Sequence, residues 1–170
     1  MNIFVLDLDH KINVSYYIDK HIVKMPLETA QLLCSARNLV GDGKGQYKTT
    51  HKNHPCAIWA RTSSANYRWL CELGMEIGNE YTFRYDKQHK SLNVILDCFG
   101  NIPSVDGPFT LPPSCMSEEF IVGDDVVANY RNYYIKGKQV DKNGKSMLKW
   151  TKRERPWWYV RTRYNERVST

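Results

Sequence analysis

The stretch DKHIVKMPLETAQLL, Asp19 to Leu33, constrains the fold of this chain more than any other. Ile22, Met25, Thr29, Leu32, Leu33, Ala36 and Val40 recur at three- and four-residue intervals, the period of a long helix with one buried face. Pro26 lies inside it and removes one backbone donor, which predicts a kink or the start of a second helical segment. Beside the apolar face runs a second track: His21, Lys24, Glu28 and Gln31. Residues three and four apart are neighbours on a helix, so these four form one polar stripe with a carboxylate at its centre. In a cleft beside an apolar face, such a carboxylate can act as a general acid or base, or stabilise a developing cation. His21 would then be a proton donor or a phosphate contact, and Lys24 and Gln31 would hold a ligand.

The remaining pattern is also mostly helical. Residues 3–8, IFVLDL, suit a short strand or an extended arm anchored in the core. VGDGKG is turn chemistry that ends the long helix, and Pro55 suits the first turn of the next one. From Ser64 to Tyr85 a second amphipathic pattern places Tyr67, Leu70, Leu73, Ile77 and Tyr81 on one face. A shorter helix over Ser91–Phe99 stops at Gly100, and NIPSVDGPFTLPPS is an irregular crossing segment. Asp124 or Asp125 can cap a helix through VVANYRNYYIKG, and DKNGK is the turn of a small hairpin. The expected fold is mainly α: a compact single domain, 1–170, of about four helices with a short extended N-terminal arm and a small hairpin near the C-terminus. The length fits one domain and is enough to bury a core without staples.

Charge is unevenly placed. Eleven Lys/Arg and three acidic residues fall between Lys136 and Arg167, so the net charge of +6 belongs to the C-terminal fifth. Trp150, Trp157, Trp158, Tyr159 and Tyr164 are interleaved with those cations. Cations follow phosphates, and flat rings stack on bases or pack beneath the backbone. The basic aromatic segment 136–170 is therefore expected to pack on the domain and to bind nucleic acid, with Arg153, Arg155 and Arg161 as the best phosphate contacts.

The composition excludes other classes. No run of eighteen apolar residues exists, so no membrane span is expected. The opening MNIFVLDLDHK has acids where a signal peptide needs a basic head, which points to a cytoplasmic protein. Five cysteines without a CxxC pair read as reduced thiols. His51, His54 and Cys56 are zinc-ligand types within six residues, but no second cluster supplies further ligands at a recognisable spacing. No metal and no cofactor is expected, and His54 is assigned to capping the following helix or contacting a phosphate.

Three stretches together carry a resemblance. DKHIVKMPLE sets Asp19, His21 and Glu28 at the entrance of the long N-terminal helix; GQYKTTHKNHP precedes a helix; and RPWWY lies near the C-terminus. This resembles the pyrimidine-dimer DNA glycosylase family, the endonuclease V-type repair enzymes of T-even phage, over roughly a third of the chain. The resemblance implies a compact helical domain without metal. It also implies an N-terminal α-amine that attacks the sugar C1′ of a damaged nucleotide, followed by strand scission through β-elimination. Carried onto this chain, the glutamate is Glu28, the histidine is His21, and the aromatic stretch is Trp157, Trp158 and Tyr159. Sliding NIFVL against the family's opening puts Met1 at the nucleophile's place. An α-amine titrates near about 8, far below lysine, so a useful fraction is uncharged at neutral pH and able to form an imine.

The chain departs from the family pattern in three places. Asn2 follows Met1 where the family exposes a small residue, Leu27 and Gln31 stand where arginines flank the family's glutamate, and the 100–123 segment is additional. The expectation is a DNA glycosylase-like enzyme with AP-lyase activity acting on a damaged or modified base, monomeric, with double-stranded DNA as its partner in a host cytoplasm. Three alternatives stand beside it. One is a base-modifying or nucleoside-bond-cleaving enzyme on the same scaffold, and another is a phage nucleic-acid-binding protein without chemistry. The third is a metal-dependent nuclease built on His51, His54 and Cys56.

Overall fold

The computed structural model describes residues 1–160. Six helices follow in order: α1 His10–Ser15, α2 Asp19–Val40, α3 Pro55–Ala60, α4 Ser64–Tyr85, α5 Ser91–Phe99 and α6 Val126–Gly137, with a 3-10 turn over Glu118–Phe120. The fold is mainly α, and no β-sheet forms among the described residues. The hairpin at DKNGK is reduced to one antiparallel bridge, Val140 to Ser146, closed by Gly144 at φ +76°. Asp141 fixes that turn by accepting from the Asn143 and Lys145 amides, and ties it to α2 through Lys20 Nζ at 2.8 Å.

The long helices α2, α4 and α5 pack against one another and form the centre of the molecule. Ile22, Met25, Thr29, Leu32, Leu33 and Ala36 of α2 are all buried, whereas Val40 at its end is exposed. The helix runs through Pro26 without a break, so the expected division into two segments does not occur. Pro26 itself is buried, and tertiary packing holds the turn that its missing N–H leaves open. On α4, Gly74 and Gly78 allow the close approach. A Cβ at Gly78 would stand 2.6 Å from Leu92 Cδ1 of α5, and one at Gly74 would stand 2.8 Å from Thr29 Cγ2 of α2. Asp125 accepts from the Val127 and Ala128 amides and His54 precedes Pro55 at N1, as the sequence predicts, and Ser63 caps α4 by accepting from the Asn66 amide.

The N-terminal segment is an arm and not a strand. Ile3, Phe4, Val5 and Leu6 are buried, and side chains satisfy the arm's backbone where a sheet partner would otherwise do so. The Leu6 amide donates to Asn13 Oδ1 at 2.7 Å, Asn13 Nδ2 donates to the Phe4 carbonyl at 3.1 Å, and Arg131 Nε donates to the Leu6 carbonyl at 2.8 Å. The Phe4 ring stacks on His21 of α2, centroids 4.2 Å apart, and meets Tyr130 and Tyr134 of α6 edge-on. The arm is thus clamped between α2 and α6, which sets where Met1 lies.

Asp19, the first residue of α2, joins three parts of the fold. It accepts from the Thr151 amide and hydroxyl at 2.8 and 2.7 Å, and from Arg84 of α4 at 3.0 Å. The start of α2, the end of α4 and the C-terminal segment meet on this one carboxylate. No helix among the described residues is long and apolar enough to cross a membrane.

Candidate functional site

The polar stripe of α2 and the end of the arm face one another across a cavity of about 250 Å³. His21, Lys24, Met25 and Glu28 line it from α2, and Met1, Asn2 and Phe4 line it from the arm. Cys115 of the crossing segment joins them, with Tyr133 of α6 and Lys138 just beyond it. The spacing i, i+3, i+4 and i+7 turns these four α2 residues to one side, as the sequence predicts. Gln31, one turn further on, is half-buried and does not line the cavity.

At the centre is Glu28, with a side chain only 12% exposed. Its Oε1 pairs with Lys24 Nζ at 2.8 Å, and its Oε2 lies 4.0 Å from the α-nitrogen of Met1. Asn2 fixes that nitrogen's position. Its Nδ2 donates to the Cys115 carbonyl at 2.8 Å, and its Oδ1 accepts from Tyr130 Oη at 2.6 Å. A short polar residue after Met1 is therefore an anchor, which explains why Asn2 stands there. Lys24 is largely exposed, while Lys138 is half-buried with its ammonium 4.6 Å from the centroid of Tyr133. Two cations therefore border a cavity that holds one carboxylate.

His21 has a different character from the proton donor expected. It is 7% exposed, enclosed by Phe4 and Tyr134. Burial, followed by the charges of Lys138, Lys24 and Lys20, depresses its imidazole to about 3, so the ring is neutral at physiological pH. Tyr134 is held well above its ordinary value by burial and keeps its proton. A hydrogen bond joins Tyr134 Oη to His21 Nδ1 and ties the ring to α6. His21 is thus a fixed, uncharged ring rather than a titrating acid.

The C-terminal aromatic stretch divides. Trp157 is 78% exposed and has Arg131 stacked at 5.7 Å. Trp158 and Tyr159 are buried: Trp158 meets Tyr16 and Tyr134 edge-on, and Tyr159 packs on Trp150. Of the three rings expected to meet nucleic acid, only Trp157 offers a free face; the other two dock the segment on the domain. Arg153 is likewise committed to the fold, with Nε and Nη2 on Glu80 at 3.0 and 2.8 Å and its guanidinium over Phe83. Arg155 is exposed. Arg161 lies outside the described residues.

His54 accepts the Cys56 amide on Nδ1 at 3.2 Å, the capping role predicted from Pro55. Burial, and then the neighbouring N-terminal charge, lowers its imidazole. Its nearest metal-ligand neighbours are Cys56 and Cys115, not His51, and the donor atoms of these three lie within 4.8 Å of one another. No local spacing points to Cys115 as the third member, 59 positions from Cys56. Nor does the sequence mark Tyr133 and Lys138 as site residues, because α6 and the residue that follows it supply them from more than a hundred residues away and no spacing rule spans that gap.

No model of a known protein family matches this chain, and no similar curated protein or solved structure is found.

Proposed function

We propose that this chain is a DNA glycosylase-like enzyme with lyase activity on a damaged or modified base. The α-amine of Met1 is the nucleophile and Glu28 the acid/base. One observation carries the reading: the α-nitrogen of Met1 lies 4.0 Å from Glu28 Oε2 inside a cavity bordered by Lys24 and Lys138. That juxtaposition brings together the first residue and the middle of α2, which a purely structural helix does not require.

The chemistry follows from the groups present. The uncharged amine attacks the sugar C1′ of a flipped nucleotide as the bond from C1′ to the base breaks, and the base leaves with the bonding electron pair and takes a proton from water. Glu28 as a carboxylate stabilises the oxocarbenium-like carbon and takes a proton from the attacking amine. Ring opening gives an imine between Met1 and C1′. Removal of a proton from C2′ then expels the 3′ phosphate by β-elimination. His21 borders the site as a neutral hydrogen-bonding ring, and Lys24 and Lys138 supply positive charge for the flanking phosphates. Trp157 offers a stacking face on the same chain.

Borohydride reduction of the protein mixed with abasic-site duplex tests the reading. A covalent adduct mapped to the Met1 peptide is expected. Intact DNA binding with no adduct would remove the amine mechanism. Binding should also weaken steeply with salt, the log–log slope following the number of phosphates neutralised.

A further inference from the structure

Behind the cavity wall, two segments bring sulfur and imidazole together. His54 is the N-cap of α3, Cys56 sits in its first turn, and Cys115 belongs to the crossing segment beyond Gly100. The sulfur atoms of Cys56 and Cys115 are 3.4 Å apart, and all three donor atoms lie within 4.8 Å of one another. In tetrahedral zinc sites, with metal–sulfur bonds of about 2.3 Å and metal–nitrogen bonds of about 2.0–2.1 Å, ligand atoms stand roughly 3.3–3.8 Å apart. The triangle here therefore needs only a small contraction to close on an ion. The other thiol pair, Cys34 and Cys98, is a useful contrast: its sulfurs are 3.8 Å apart and buried, and no third His, Cys or carboxylate completes it among the described residues. That pair reads as core packing. The first pair has the third donor and an entry route, because Cys115 is partly exposed and lines the cavity.

We infer that His54, Cys56 and Cys115 form a binding site for a thiophilic divalent ion of the zinc type, set against the wall of the cavity that holds Met1 and Glu28. Each thiol releases its proton to solvent and binds as thiolate. The imidazole lone pair on Nδ1, which now accepts the Cys56 amide at 3.2 Å, turns to the ion instead. Three protein ligands leave one tetrahedral position for water or a substrate atom. The site does not depend on the glycosylase reading, and either can fail without the other.

The test uses the full chain kept reduced by a phosphine. Titration with Co²⁺ should give one ion per chain and a thiolate-to-cobalt charge-transfer band, displaced by Zn²⁺ at one equivalent. X-ray absorption of the Zn²⁺-loaded protein should show two sulfur and at least one imidazole ligand. Cys115→Ser, at the partly exposed member, should abolish the charge-transfer band while circular dichroism stays native. His54→Gln should weaken binding at least tenfold. A shell of oxygen and nitrogen only in the wild-type protein would overturn the site, and needs no variant to fold. So would a charge-transfer band that survives in folded Cys115→Ser, or no binding beyond that of free thiols.

Discussion

Lys24 Nζ lies 2.8 Å from Glu28 Oε1, one helical turn before it, so one carboxylate oxygen is occupied by a fixed cation while the other faces Met1. The order Lys then Glu is the less favourable one for a helical pair. The pair is also half in solvent, so it contributes little to stability, about 0–1 kcal/mol. Glu28→Gln is nearly isosteric and should leave folding unchanged, lower single-turnover base release by about 10²–10⁴-fold, and spare duplex binding. Fluorescence anisotropy beside a gel-based excision assay checks both halves. A parallel loss of binding would make Glu28 a contact and not a proton carrier.

His21 supplies a second expectation, about pH. Its imidazole sits near about 3 because it is buried under Phe4 and Tyr134, whereas an unfolded chain titrates near 6.5. Between those values the unfolded state takes up a proton that the native state refuses. The contribution of His21 to stability is therefore whole above about 6.5 and declines as pH falls towards 3. Nitrogen-detected NMR should show a neutral ring, with shifts unchanged from about pH 8 to pH 5. A midpoint near 6.5 would mean that the ring is solvated and that the enclosed geometry is wrong.

The carboxylate of Glu80 makes a complementary case. Burial pushes it up, and hydrogen bonds from Arg153 and Arg84 more than reverse that, leaving it below the usual range. A depressed carboxylate contributes stability that is present above the unfolded value, about 4.3, and lost as pH falls through its own lower value. Glu80→Gln would leave the fully buried Arg84 with Asp19 as its remaining carboxylate partner. A loss of about 3–5 kcal/mol in urea unfolding is expected, towards the lower end because Asp19 stays. A change below about 1 kcal/mol would show that the pair is solvated.

These three groups also mark how far the sequence could be read. The α2 track gave the buried face and brought His21, Lys24 and Glu28 to one wall, because helical spacing is local and needs no knowledge of the rest. Helices α4, α5 and α6 were legible for the same reason, with Gly100 and Asp125 marking an end of the last two. Helix α1 was not, since six residues are too few for a period to show. Glu80 and Arg84 are one helical turn apart, but Asp19 lies 65 residues from Arg84, so their junction has no local signature. Nor could periodicity tell Trp157 from Trp158: adjacent residues in an irregular segment carry no face, and only the dock onto Tyr16 and Tyr134 decides which ring turns in.

That division of the aromatic pair yields the last prediction. Trp157 is exposed and touches the fold mainly through Arg131, so Trp157→Ala should change stability by no more than about 0.5 kcal/mol. If the ring stacks on a base, the same substitution should weaken binding to a lesion-bearing duplex by about 1–3 kcal/mol, roughly 5- to 150-fold. Trp158→Ala removes a buried ring held by Tyr16 and Tyr134 and should cost about 3–5 kcal/mol of stability. Urea unfolding and anisotropy on both variants separate the two roles. The outcome that defeats the assignment is a Trp157→Ala protein that binds as tightly as wild type; the exposed ring would then be an ordinary surface residue, and the duplex would have to be gripped through Lys24, Lys138 and Arg155.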